Sequence, residues 1–133
     1  MSEKPSSRDM QKELYKGRIV TILSRHVGIT RAIGMGELYS QVYGKSWKNR
    51  INDTRGMRYL ITELRDEGVP VCSIVAPNGG GYYLASTSGE LDNWLGRDHR
   101  KALRILAREA KIRRTTLPEL MGQICLNLTE VAP

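Results

Sequence analysis

The sequence predicts a mainly α-helical fold with a small β-hairpin, of the α+β class, followed by a helical extension. Three observations carry this reading. Apolar residues recur at helical spacing in successive segments between residues 9 and 68. A β-branched run, "VPVCSIVA", is separated by the turn-forming "PNGGG" from "YYLAS", the pattern of two strands and a tight connection. Two capping signatures, Thr87-Ser88-Gly89-Glu90 and Thr116-Leu117-Pro118-Glu119, then announce two more helices. At 133 residues and 40% hydrophobic, the chain suits one compact domain plus an appendage, not two large cores.

Residues 1–8 are polar and contain Pro5, Ser6 and Ser7, the composition of a disordered tail. Over residues 9–27, Tyr15, Ile19, Ile22 and Leu23 share one helical face, and Gly28 is placed to end that helix in a left-handed conformation. A short extended piece is expected at residues 30–33. A second helix follows over residues 35–43, with Leu38 and Val42 as its core contacts. Residues 44–53, "GKSWKNRIND", show no period and read as a loop. Asp53 is the expected cap of a third helix, on which Met57, Leu60, Ile61 and Leu64 recur at i, i+3, i+4 and i+7 before Gly68.

Beyond the hairpin, the Thr87 hydroxyl is positioned to accept from the Glu90 amide while the Glu90 carboxylate reaches back. A long helix is expected at about 88–114. Leu91, Leu95, Ala102, Leu106 and Ala110 fall on one side of its wheel, and Arg97, Arg100, Lys101, Arg104, Arg108 and Lys111 on the other. Pro118 suits the first turn of a last helix at about 117–128, which carries Leu117, Leu120, Ile124 and Leu128. The chain therefore divides at 9–86 and 87–133.

The formal net charge is +7, from 21 Lys and Arg against 14 Asp and Glu, and favours polyanionic partners. Its distribution is uneven. Residues 45–58 hold Lys45, Lys48, Arg50, Arg55 and Arg58 against Asp53 alone, residues 66–96 hold no Lys or Arg, and residues 97–114 hold eight.

No stretch is long and apolar enough to cross a bilayer, and "MSEKPSSRD" lacks the apolar core of a signal peptide, so a cytoplasmic protein with no membrane partner is expected. Cys72 and Cys125 have no metal-ligand spacing and read as buried small hydrophobes. His26 and His99 lie apart from any cysteine or carboxylate spacing typical of a metal site. Gly44-Lys45-Ser46 fails as a phosphate loop, because such a loop needs a glycine where Tyr39 stands. No nucleophile has a base at a recognisable spacing. A non-enzyme without catalytic residues, metal or cofactor is the expectation.

The stretch "TRGMRYLITELRDEGVPVCSIVAPNGGGYYLA", residues 54–85, resembles the third helix and wing of a winged helix-turn-helix DNA-binding domain. The style is that of the biotin repressor's N-terminal domain and of small phage and prophage DNA-binding proteins. The matching features are the helix ending "LRDEG", the strand "VPVCSI" directly after it, and the glycine turn leading into "GYYLA". The resemblance extends over about residues 12–86. It implies a double-stranded DNA-binding protein, a transcriptional regulator in a phage or prophage or a site-recognition factor in replication or packaging. Two departures stand out. Ten residues, 44–53, lie between the second and third helices where the family has a short turn, and "APNGGGYY" carries no Arg or Lys.

The resemblance places the exposed face of the third helix, Thr54, Arg55, Arg58, Tyr59 and Thr62, in the major groove. In the wing, only backbone amides or Asn78 are left to touch DNA. In the loop, Lys45, Lys48 and Arg50 suit phosphates, whereas Trp47 suits either base stacking or folding back over the core. The basic stripe of the long helix suits phosphate, an acidic partner or plain solvation. The C-terminal apolar residues suit packing on the first domain or pairing with a second copy, and homodimerisation is what the family style implies. A competing function is a protein-interaction module in which the winged helix is only a scaffold.

Overall fold

The computed structural model of the chain describes residues 6–75 and 80–131. It is mainly helical with a small antiparallel sheet. The elements run α1 (Ser7–Leu23), a 3-10 turn (Ile29–Arg31), β1 (Ile33–Gly34), α2 (Met35–Tyr43), α3 (Arg50–Asp53), α4 (Arg55–Asp66), β2 (Val71–Ile74), β3 (Gly81–Leu84), α5 (Ser88–Ile112) and α6 (Leu117–Val131). They form two compact units, Met1–Asp92 and Asn93–Pro133, whose boundary falls within α5.

The first unit is built around α4. Met57, Leu60, Ile61 and Leu64 are all buried, against Ile19 and Leu23 of α1, Leu38 and Val42 of α2, Ile33 and Val71. Burying each such side chain contributes about 1.5–3 kcal/mol, so this stripe fixes which side of α4 faces water. The helix ends as its sequence predicts. Gly68 (φ +94°) donates to the Arg65 carbonyl and Val69 to that of Leu64, a Schellman closure that releases the chain straight into β2.

Several boundaries move. α1 begins two residues before residue 9, because the Ser6 hydroxyl accepts from the Asp9 amide at 3.2 Å. It ends at Leu23, short of residue 27, and Gly28 (φ +96°, ψ +146°) opens the 3-10 turn instead of closing the helix. Of the expected extended piece at 30–33, only Ile33 joins a strand. β1 pairs with β3 (Ile33 opposite Tyr82), and β3 with β2 (Val71 opposite Leu84, Ile74 opposite Gly81), giving the order β1-β3-β2. Asn78 lies outside the described residues.

Lys16 shares the inner face of α1 with Ile19 and Leu23 and is only 5% exposed. Its ammonium bonds the Glu67 carboxylate and lies 3.2 Å from Glu13 and 3.7 Å from Glu63. The Glu67 bond, with the Glu13 bond and charge, outweighs burial and holds the lysine above its ordinary pKa. This charged clamp joins α1 to the C-terminal end of α4.

At the start of α5, the Thr87 hydroxyl accepts from the Glu90 amide at 3.1 Å, as its capping box requires. The Glu90 carboxylate reaches one residue further back than expected. It accepts from the Ser86 amide at 3.1 Å and from the Ile29 amide at 3.3 Å, tying the helix start to the 3-10 turn.

In the second unit, the Thr116 hydroxyl accepts from the Glu119 amide at 3.3 Å, and Arg114 takes a left-handed conformation (φ +56°) as Thr115 donates back to the Ala110 carbonyl. Ala110 and Leu120, on either side of this turn, are buried. The rest of the expected apolar stripe of α5 is covered only in part: Leu91 and Leu106 are half-buried, whereas Leu95 and Ala102 are exposed, together with Ile105, Ile112, Leu126 and Leu128. Cys72 is buried as expected, but Cys125 is exposed on α6. Among the described residues no helix is long and apolar enough to cross a membrane.

Candidate nucleic-acid interface

Residues 44–53, expected as a plain loop, contain α3. Asn49 caps it, its side-chain oxygen accepting from the Ile51 and Asn52 amides at 3.1 and 3.0 Å. Asp53 therefore does not cap α4. Its carboxylate turns back to accept from the Lys48 amide at 2.6 Å and the Asn49 amide at 3.0 Å. The Asn49 bond, then the Lys48 bond, with the charges of Lys45 and Lys48, hold this carboxyl below its ordinary range. The short helix is thus stapled at its start, and it carries the basic loop up to the first turn of α4.

Thr54 joins α3 to α4 and is fully buried, which removes it from any reading surface. Its hydroxyl instead lies 3.4 Å from Arg58 Nε, while Arg58 Nη2 donates to the Ile51 carbonyl at 2.7 Å. Arg55, one turn earlier and exposed, has Nη2 3.4 Å from the Asn52 side-chain oxygen. Arg55 and Arg58 are thereby both held by α3. Thr62 is exposed, but its hydroxyl donates to the Arg58 carbonyl at 3.1 Å.

Tyr59, one turn after Arg55, is 56% exposed. Lys12 Nζ lies 5.0 Å from its ring centroid. Partial burial disfavours ionisation of Glu63, but a hydrogen bond from Tyr59 and the charges of Lys12 and Lys16 hold its carboxyl below the ordinary value. Tyr59 is therefore engaged by an ionic cluster that Arg55 and Arg58 do not share.

Trp47 folds back. A Cβ added to Gly36 at the start of α2 would meet the indole Nε1 at 2.5 Å, so the ring occupies space that only glycine leaves open. Lys45 and Lys48 remain exposed. The side chain of Arg50 lies outside the described residues, as does Asn78. In the second unit, Arg97, Arg100, Lys101, Arg104, Arg108 and Lys111 are all exposed along α5.

Two features of this face escaped sequence reasoning. One is α3, whose signal was Asn49 ahead of "RIND". The other is Ile51, an apolar side chain 67% exposed among the cations. Among the described residues no group of three His, Cys, Asp or Glu is arranged to hold a metal ion. Comparison of the chain with protein-family models, curated proteins and solved structures gives no match.

Proposed function

We propose that the protein is a sequence-selective double-stranded DNA-binding protein of the winged helix-turn-helix kind, reading the major groove with the exposed side of α4. One arrangement carries the reading. α4 is anchored by four buried apolar residues and turns Arg55 and Arg58, both braced by α3, away from the core. An antiparallel hairpin leaves directly from its other end. A major groove admits one helix, and arginine is the side chain best shaped to take the two acceptors of guanine. Lys45 and Lys48 supply phosphate contacts, and the stripe from Arg97 to Lys111 supplies a second cationic face. The role is regulation of transcription in a phage or prophage, or recognition of a site during replication or packaging; this setting rests on the resemblance of residues 54–85.

The test is fluorescence anisotropy on a duplex selected from a random pool, over a salt series. Two phosphate contacts, from Lys45 and Lys48, imply a slope of about −2 in log affinity against log salt, and a steeper one where the stripe from Arg97 to Lys111 also engages phosphates. Arg55→Ala and Arg58→Ala weaken binding to the selected site, and a smaller loss in Arg104→Ala/Arg108→Ala keeps the reading face on α4. No measurable affinity at low salt ends the proposal.

The exposed Leu95, Ile105, Ile112, Leu126 and Leu128 favour a second reading for the C-terminal unit, as a protein-interaction surface. A second copy of the chain is its proposed partner, since a dimer doubles the half-sites that one small reading head can engage.

A further inference from the structure

A cleft of about 680 Å³ opens between α3, the start of α4 and the paired strands β2 and β3. This volume falls within the range of about 300–1,000 Å³ common among small-molecule sites. Its chemistry is one-sided. Met35, Ile51, Ile74, Val75 and Tyr82 make most of the wall apolar; Arg58 and Lys48 bring two cations, and no carboxylate lines it among the described residues. Val75 is 80% exposed, so the apolar lining continues out to water beside the cations.

We propose that this cleft binds a small amphipathic carboxylate. The carboxylate pairs with the guanidinium of Arg58, whose Nε and Nη2 are already held by Thr54 and Ile51. A fork fixed in this way presents its planar edge with little freedom left to lose. The apolar body of the ligand lies against Met35, Ile74 and Tyr82, where a bare phosphate gains nothing. Occupancy withdraws Arg58 from a base edge, so the ligand competes with DNA. That competition rests on the DNA-binding reading; the ligand site does not.

The experiment titrates the full ¹⁵N-labelled chain, without DNA, with 2-naphthoate, 2-naphthamide and inorganic phosphate. The expected result is saturable shifts at Ile51, Thr54, Arg58, Ile74 and Tyr82 with 2-naphthoate. Its affinity is at least tenfold above that of the neutral amide, and Arg58→Gln abolishes this advantage. Equal affinity for the amide, shifts confined to α5 and α6, or indifference to Arg58→Gln overturns the site. Phosphate binding as well as 2-naphthoate assigns the cleft to a bare anion and overturns the amphipathic ligand. With duplex present, 2-naphthoate at ten times its own Kd lowers duplex affinity about tenfold; an unchanged duplex affinity overturns the competition alone. Absence of any duplex affinity removes the DNA reading, while the spectra still decide the ligand site.

Discussion

Arg58 is tied to Ile51 across seven residues: Nη2 donates to the Ile51 carbonyl at 2.7 Å and joins the first turn of α4 to the short helix before it. Its fork is therefore oriented before any partner arrives, which lowers the ordering cost of recognition. Arg58→Lys keeps the charge but loses the fork. On the selected duplex it lowers affinity by about 10–100-fold, the worth of one bidentate base contact of about 1–3 kcal/mol, and leaves random duplex nearly unaffected. Equal losses on selected and random duplex would assign Arg58 to phosphate.

Thr54 predicts the opposite pattern. With no exposed surface and its hydroxyl beside Arg58 Nε, it supports the reading face from within. Thr54→Val removes about 1 kcal/mol of unfolding free energy in a denaturant titration, the usual worth of one hydrogen bond. Duplex affinity falls by roughly threefold or less, since about 0.6 kcal/mol is the expected share transmitted through Arg58. A stable variant with a large loss of DNA affinity would place the hydroxyl on DNA after all.

Asp53 makes the staple around α3 sensitive to acid. Amide bonds from Asn49 and then Lys48 hold its folded-state pKa below the ordinary 3.8. A depressed carboxylate pKa stabilises the fold above the ordinary value, and the contribution disappears as pH falls through the lower folded-state value. Asp53→Asn therefore melts at a lower temperature than the parent at pH 7, and the two melting curves converge as the pH drops well below 3.8. A gap of constant size from neutral to acid pH would show that the charge contributes nothing.

What the sequence makes legible follows from how local each cause is. Met57, Leu60, Ile61 and Leu64 repeat with the helix, so α4 and its inner face are readable, and Met35–Tyr43 takes the span its pattern predicts. The hairpin is readable because β-branched runs and glycines mark its strands and turn. α3 is not, because four residues cannot show a period and its signal is a side-chain cap at Asn49. β1 is two residues long and exists only by pairing with β3, a long-range event. Threonine is at home on either side of a helix, so the burial of Thr54 depends on the bend between α3 and α4. The exposed Leu95 and Ala102 share an apolar stripe with the buried Ala110, and a wheel cannot tell which part of such a stripe finds a partner within the same chain.

Trp47 supplies a spectroscopic test of the loop. Because a Cβ on Gly36 would meet its indole nitrogen at 2.5 Å, Gly36→Ala drives the ring off α2. With Trp94→Phe in the background, emission shifts to the red, toward that of a solvated indole. The helix itself does not suffer, since alanine is favoured over glycine in helices by up to about 1 kcal/mol. Unchanged emission would mean that the ring is not seated on Gly36. Unchanged duplex affinity in the same variant is the expected companion result, because a tryptophan that covers α2 does not stack on bases.

The exposed apolar side of α5 bears on the assembly that reads DNA. Leu95, Ile105 and Ile112 are exposed on α5, and Leu126 and Leu128 on α6. If they pair two copies, sedimentation shows a dimer at micromolar concentration, and Leu95→Glu/Ile105→Glu is a monomer with unchanged helicity, because neither side chain supports its own chain's core. Linking two reading heads multiplies affinity for paired half-sites by about 10²–10⁴ without any new base contact. The double variant therefore loses about 100-fold or more on a palindromic duplex and nothing on a single half-site. A parent that remains monomeric, with a variant that binds both duplexes as the parent does, would leave this face to a different protein.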